Sequence, residues 1–351
     1  MKKCDYIIIG AGLAGTILAD FLSKKASVVV FDKEAGEYGS KVAAGIYNPV
    51  TGRRMVKSWM VDTFAPFALD YYRQKEKEIN QKLIDVIDIQ RLFHNVQQRN
   101  EWLERVDFDQ LQEIIRAQIE PDSENRIWFK EHGGVTTATS WRLNTVKYLD
   151  AWHGNWLKSG QLIRESIDYG DIKVNGEQVR VNDIEAKRVI FCEGWNIGKN
   201  PWFDFLPIKP NKGELLTIEA KGLDVNDMVQ KRIFVLPIGE DKYKVGATYD
   251  RENHDYLPTE KAKWWLLERL DNIIKVPYKI LSQKAGIRPA SVDRRPFVGQ
   301  HPEFKSLFVF NGFGSKGVHQ MPWSANHFVK VLEEGAELNS EMSIQRFSDR
   351  Q

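Results

Sequence analysis

The sequence predicts an α/β protein: a doubly wound, mostly parallel sheet, with an α+β second domain on an antiparallel sheet inserted into it. Three observations predict it. Residues 6–32 read as strand, glycine turn, helix and strand in direct succession. Residues 51–140 and 206–285 abandon that rhythm for charged helices and hairpin-like strands. A second strand, glycine turn and helix follows at residues 307–334.

In the opening unit, Tyr6, Ile7, Ile8 and Ile9, and then Val28, Val29, Val30 and Phe31, form short unbroken apolar runs. Such runs suit strands buried on both faces of a parallel sheet. Between them Ala14, Ile17, Leu18, Phe21 and Leu22 recur at three- and four-residue steps, as on one face of a helix. The turn is Gly10, Ala11, Gly12, Leu13, Ala14 and Gly15. Its first glycine permits a tight bend, its second leaves room for a pyrophosphate, and its third lets the helix close on the strand. The helix amino terminus offers free N–H groups and partial positive charge to phosphates. Asp32 follows at the end of the second strand. There it can accept hydrogen bonds from both ribose hydroxyls of an adenosine and repel a 2′-phosphate. This glycine pattern is weak by itself. With its strand, helix and acid in place it reads as a dinucleotide site, whereas a plain βαβ unit leaves Asp32 unexplained. It does not choose between NAD and FAD.

Length and composition narrow the class. A chain of 351 residues suits about two domains. With 42% hydrophobic and 28% charged residues it reads as soluble and globular. Fifty basic residues against 48 acidic ones leave a net charge of +2, which gives no electrostatic case for nucleic acid as the main partner. Two cysteines, Cys4 and Cys192, make no disulfide framework and fit a reducing cytoplasm. No apolar stretch is long enough for a signal peptide or membrane span. The eleven tryptophans read mostly as core and pocket fillers.

Lys33 opens a polar, glycine-rich loop that leads to Ser40, Lys41, Ala43, Ala44, Gly45 and Ile46. Small residues at 43–45 suit either a backbone packed on a flat ligand or a plain turn. Residues 60–78 read as a helix with Phe64, Phe67, Ala68 and Tyr71 on one face, 83–93 as a strand, and 97–118 as a charged helix. Residues 142–160 return to helical spacing through Val146, Leu149, Trp152 and Trp156, and a strand follows at 161–167. Asn175 and Gly176 signal a hairpin within 173–182. Residues 188–195 form a buried strand that brings Cys192, Gly194 and Trp195 to the sheet's ligand-binding edge. Strands are expected at 211–220 and 232–249, the latter pair turning at 239–241. Thr259 can cap a helix carrying Trp264, Leu267, Leu270 and Ile274. The strand at 307–310 leads into a glycine-rich turn and a helix expected from about Met321 to Glu334.

Four stretches together resemble the D-amino acid oxidase and glycine oxidase family of FAD-dependent oxidoreductases. They are the first glycine turn with Asp32; residues 40–46; residues 189–195; and the pair formed by Gly286-x-Arg288-Pro289 with Asp293-x-x-Pro296-x-x-Gly299, followed by Gly312, Gly314, Ser315, Lys316, Gly317 and Val318. The resemblance spans nearly the whole chain, and its carboxy-terminal pair is the most specific part. It implies a discontinuous, Rossmann-like FAD-binding domain of residues 1–50, 141–205 and 286–351. Residues 51–140 and 206–285 would form the inserted substrate-binding domain. It also implies non-covalent FAD, Cys192 being buried and Cys4 preceding the first strand. The chemistry implied is hydride removal from a carbon next to nitrogen, with hydrolysis of the imine afterwards and no dedicated base. The backbone at 314–318 would face negative charge on the reduced ring.

By the same resemblance Arg288 clamps the substrate carboxylate, since a planar fork pairs two oxygens at once. A structural salt bridge is its other reading. Phe234 stands where glycine oxidase-like chains carry a tyrosine, a departure that weakens the simple amino acid reading. Tyr249 either lines the pocket or sits in the core. His319 reads as a cap rather than a ligand contact, and Asp293 as a loop cap. The expected substrate is a small amine or amino acid. Two alternatives stay open. One is a flavoenzyme acting on the carboxymethylaminomethyl group of a tRNA wobble uridine, a branch with arginine where Lys316 stands, with Arg53, Arg54 and Lys57 as a local basic patch. The other is a non-catalytic FAD- or NAD-binding module. Oligomeric state stays open as well.

Overall fold

The structure, a computed structural model, describes residues 2–33, 38–51, 56–108 and 113–350. Arg53 and Arg54, most of the loop after Lys33, and residues 109–112 of the helix expected at 97–118 lie outside the described residues.

The parallel sheet runs in the order Leu162–Arg164, Val28–Asp32, Lys2–Ile9, Ile184–Phe191, Leu307–Asn311, with Phe297–Gln300 antiparallel at its edge. Both faces are covered, as the unbroken apolar runs require. Tyr6 and Ile8 join one core with the helices Leu13–Leu22, Thr145–Ser159 and Gly317–Glu334, while Ile7 and Ile9 join a second on the opposite face. The hairpin Ile172–Asn175 and Gln178–Val181 turns at Gly176 and Glu177, one position later than Asn175 and Gly176 suggest, because Asn175 still pairs with Gln178.

The second large sheet has eight strands. It runs Lys279–Arg288, Asn211–Glu219, Lys242–Gly246, Ile233–Gly239, Met228–Lys231, Ile89–Leu92, Gly134–Thr137, Ile115–Ile119. All neighbours are antiparallel except Met228–Lys231 beside Ile89–Leu92. Helix Glu260–Leu270 covers it through Leu266 and Leu270, and Thr259 Oγ1 caps that helix by accepting from the Ala262 N–H at 3.2 Å.

Several expected elements are redrawn. The strand at 83–93 is two strands in different sheets: Ile84–Val86 pairs with Trp141–Leu143, and Ile89–Leu92 joins the eight-stranded sheet. The helix at 97–118 is Val96–Phe108, and Ile115–Ile119 is an edge strand whose polar residues face outward. Arg142 and Leu143 belong to a strand; the helix that follows starts at Thr145, where Asn144 accepts from the Lys147 N–H. Val146 is exposed, because the buried stripe is Tyr148, Leu149, Trp152 and Trp156. Trp264 is exposed for the same reason, the buried stripe there being Ala262, Leu266 and Leu270. The last helix begins at Gly317, a turn before Met321. Pro322 sits inside it and has no N–H to give back to the Val318 carbonyl. The buried Tyr72 hydroxyl donates to that carbonyl at 2.9 Å and fills the gap. No helix of the described residues is long and apolar enough to cross a membrane.

Candidate functional site

A cleft of about 560 Å³ opens where the first glycine turn, the short helix Gly39–Val42, the end of strand Lys279–Arg288 and the start of helix Gly317–Glu334 meet. It brings together Gly10, Gly12, Leu13, Ala14, Asp32, Lys33, Ser40, Ala43, Ala44, Gly45, Ile46, Cys192, Gly194, Trp195, Arg288, Gly314, Ser315, Gly317 and Val318. Five expected site residues stand outside its lining: Ala11, Gly15, Lys41, Lys316 and Tyr249.

The glycine turn is built for close approach. Gly10 has φ of +103°, and a Cβ there would sit 2.5 Å from the Cys192 carbonyl oxygen. A Cβ on Gly15 would sit 1.9 Å from the Gly10 carbonyl oxygen, so this residue packs helix on strand and does not face the cleft. Gly12 differs: its Cβ would meet only the Ser40 Oγ, at 3.3 Å. The space above Gly12 belongs to the cleft, where a pyrophosphate would lie. Ala11 is fully buried, and its N–H donates to Asp32 Oδ2. Asp32 Oδ1 lies 3.7 Å from Arg164 Nη1. Burial raises the Asp32 carboxyl above its ordinary range, and the Ala11 N–H and the Arg164 charge pull it back.

Beside this end of the cleft lies an acid that sequence reasoning missed. Glu193 Oε1 accepts from the Tyr169 hydroxyl at 2.8 Å and Oε2 from Asn200 Nδ2 at 2.9 Å. Burial pushes its carboxyl up to about 7, against those two hydrogen bonds. Its signal was an acid between an apolar run and a glycine, in Phe191, Cys192, Glu193, Gly194.

At the other end stands Arg288. Its Nη1 donates to Asn211 Oδ1 at 2.7 Å and to the Thr248 carbonyl at 3.4 Å. The guanidinium lies flat on Gly213, where a Cβ would come within 2.2 Å of Nη2. Among the described residues no carboxylate pairs with it, so the salt-bridge reading finds no acid partner. Burial lowers its pKa without such a partner to offset it. Asn211 is buried and its Nδ2 donates to the Asp250 carbonyl, which fixes the amide that holds Arg288. Phe234 and Leu215 supply apolar wall nearby. Asn211 and Gly213 carry no sequence signal of their own, since only strand pairing brings them to Arg288.

The remaining placements differ from expectation. Tyr249 is 66% exposed, neither core nor lining; its ring lies 5.8 Å from the Arg288 guanidinium carbon. Tyr256 lines the cleft instead, its hydroxyl accepting from Trp195 Nε1 at 2.9 Å. Lys41 is drawn away over the Tyr38 ring and towards Asp150. Lys316 Nζ donates to Ser58 Oγ at 3.1 Å, so only its backbone belongs to the glycine turn. His319 is buried, packs on Tyr47, and has no hydrogen-bond partner for either ring nitrogen among the described residues; it caps nothing. Burial pushes its ring down to about 3. Asp293 does cap its loop, accepting from the Arg295 N–H at 3.0 Å and from Arg346.

This arrangement fits FAD: a glycine cradle that a side chain would fill, an acid lining the cleft beside it, and the amino terminus of helix Gly317–Glu334 in the same cleft. When bound, FAD supplies a two-electron hydride acceptor.

Comparison with known proteins agrees. Over 96% of its length the chain is 26% identical to the tRNA 5-methylaminomethyl-2-thiouridine biosynthesis bifunctional protein MnmC of Legionella pneumophila strain Corby, of which it covers 54%. The chain thus spans about half the length of the first curated relatives it matches. It is 23% identical to glycine oxidase of Pseudomonas aeruginosa, covering 93% of this chain and 94% of that one. The solved glycine oxidase of Geobacillus kaustophilus superposes with a TM-score of 0.82 at 17% identity, over 99% of both chains. Iminodiacetate oxidase of Chelativorans sp. BNC1 gives 0.78 at 19% identity, over 96% of this chain and 98% of that one. The family description "FAD dependent oxidoreductase" (DAO) matches residues 5–330, and the chain belongs to that family.

Proposed function

We propose that this chain oxidises the C–N bond of a small amine bearing an adjacent carboxylate, an N–CH–COO⁻ unit. The observation that carries the reading is Arg288: a half-buried, oriented guanidinium at the cleft with no acid partner among the described residues. A cation partly withdrawn from water without a counter-ion is costly, and a substrate carboxylate would supply the missing charge. The carboxylate seats on Arg288 and directs the substrate C–H at the bound cofactor. The C–H pair would leave as hydride while the nitrogen lone pair forms the C=N bond, the N–H proton would pass to water, and water would hydrolyse the imine to carbonyl and free amine. FAD, held by the Gly10–Gly15 turn and Asp32, would supply the two-electron acceptor, with oxygen or a quinone as the final oxidant.

The backbone of residues 314–318, at the start of helix Gly317–Glu334, would face the negative charge of the reduced cofactor. Lys316, whose N–H donates to the Phe313 carbonyl at 3.2 Å, contributes a positive field, and the Tyr249 ring flanks Arg288. Phe234 offers the carboxylate no hydroxyl, which leaves Arg288 as its main anchor. Residues 1–50, 141–205 and 286–351 would hold FAD, and 51–140 and 206–285 the substrate. FAD is held without a covalent bond: burial pushes the Cys192 thiol well up, away from the reactive thiolate. The two cysteines are free, in keeping with a reducing, cytoplasmic setting.

Anaerobic mixing of the yellow protein with glycine, N-methylglycine and iminodiacetate tests the reading. At least one should bleach the flavin, and methylamine should not. Bleaching by methylamine as fast as by the acids would end it. A second reading, action on the carboxymethylaminomethyl group of a tRNA base, is favoured by the Legionella alignment over 96% of the chain. That group contains the same N–CH–COO⁻ unit. Salt-sensitive copurification of tRNA would support it.

A further inference from the structure

His153 and Arg164 lie outside the cleft lining, yet they close a ring of contacts around the acid that faces the ribose. His153 Nε2 is 3.1 Å from Thr16 Oγ1, which lies 3.1 Å from the Ala11 carbonyl. His153 Nδ1 is 3.1 Å from Arg164 Nη2. Arg164 Nη1 then lies 3.7 Å from Asp32 Oδ1, and Asp32 Oδ2 accepts from the Ala11 N–H. The directions are fixed by chemistry. Arginine has no acceptor, so Nη2–H donates to Nδ1. The histidine is therefore neutral with its proton on Nε2, which donates to Thr16, and the Thr16 hydroxyl donates to the Ala11 carbonyl. Burial and the Arg164 charge, which push the His153 ring down to about 4, keep it in that form.

The informative distance is 3.7 Å. An arginine beside a carboxylate ordinarily closes to about 2.8 Å and pairs both oxygens. Here its other arm is held by His153, so the charge stays near Asp32 while Oδ1 keeps its lone pairs free.

We propose that His153 is a positioning residue that holds Arg164 back from Asp32, so that the acid stays open to the ribose hydroxyls of the cofactor. This rests on the reading of the cleft as the FAD site. Without His153, Arg164 would collapse onto Asp32 and occupy the acceptors the ribose needs.

The test is FAD affinity of the apoprotein by quenching of flavin fluorescence, with thermal melting as a fold control. His153→Phe should raise Kd about tenfold, the loss of roughly one hydrogen bond to a charged group. Arg164→Met should raise it less. The double variant should match Arg164→Met, because nothing remains to be held back. Such recovery in the double variant is not expected of a residue that merely supports the fold. A double variant weaker than both singles overturns the proposal. If His153→Phe does not fold, the Asp32→Asn background decides: there Arg164→Met should leave Kd unchanged, and a persisting loss overturns the proposal. FMN, which lacks the adenosine, should bind wild type and His153→Phe alike; an equal loss for FMN also overturns it. Asp32→Asn with unchanged FAD affinity would refute the site reading itself, a separate outcome.

Discussion

Arg288→Met tests the substrate reading at its centre. The change keeps the stem of the side chain and removes the charged fork. In the wild type the guanidinium is oriented by Asn211 at 2.7 Å and backed by Gly213, with no acid partner among the described residues. Truncating one partner of a buried charge pair costs about 2–5 kcal/mol. At about 1.4 kcal/mol per decade this is roughly a thirty-fold to several-thousand-fold fall in kcat/KM. The assay is anaerobic flavin reduction by stopped flow, with FAD occupancy measured beside it. Occupancy should be unchanged, and kcat/KM for a carboxylate substrate should fall within that range. Arg288→Lys should recover only part of the loss, since an ammonium cannot pair two oxygens in one plane. A neutral ester of the same substrate should lose far less. Equal losses for acid and ester would show that Arg288 supports structure and not the substrate.

Three further outcomes follow from the same geometry. Gly12→Val should fold with an unchanged melting temperature but bind no FAD, because its Cβ meets only Ser40 Oγ at 3.3 Å, whereas Gly15→Val should fail to fold, its Cβ lying 1.9 Å from a carbonyl oxygen; wild-type flavin content in Gly12→Val would refute the placement. Glu193 is held up at about 7 in the fold against an ordinary 4.5, so its contribution is full below that ordinary value and is lost as pH rises through about 7. Melting temperature should therefore fall across that window by the equivalent of up to about 3 kcal/mol, and Glu193→Gln should flatten the slope; an unchanged slope would show that another group sets it. Phe234→Tyr adds a hydroxyl at the cleft wall and should lower KM for a carboxylate substrate about five-fold, the worth of roughly one hydrogen bond, while leaving the ester unchanged.

What was legible in the sequence follows from how local each cause is. Gly10, Gly12 and Gly15 answer to backbone geometry within one turn, so their spacing and Asp32 were readable together. The second glycine turn was readable from its own strand, turn and helix pattern, and the role of Arg288 by resemblance. Asn211 and Gly213 were not, because pairing between distant strands brings them to Arg288, and neither was Tyr256, which a loop carries to the cleft. Tyr249 was read as pocket or core from its place at the end of an expected strand, yet the chain leaves the sheet at Gly246 and exposes it. Pro322 hid a full helical turn, since its lost hydrogen bond is repaired by Tyr72 from 250 positions earlier in the chain. The stretch at 83–93 hid a change of sheet, because Ile84, Ile87 and Ile89 are buried on both sides of the break and periodicity alone cannot separate the two halves.

The most direct measurement is a crystal structure of the FAD-bound protein with acetate or methoxyacetate, carboxylates that cannot be oxidised at a C–N bond. The account predicts the adenosine ribose on Asp32, the pyrophosphate over Gly12, the flavin ring against residues 314–318, and the carboxylate paired to both arms of Arg288. A carboxylate bound away from Arg288, or a ribose that does not touch Asp32, would contradict it.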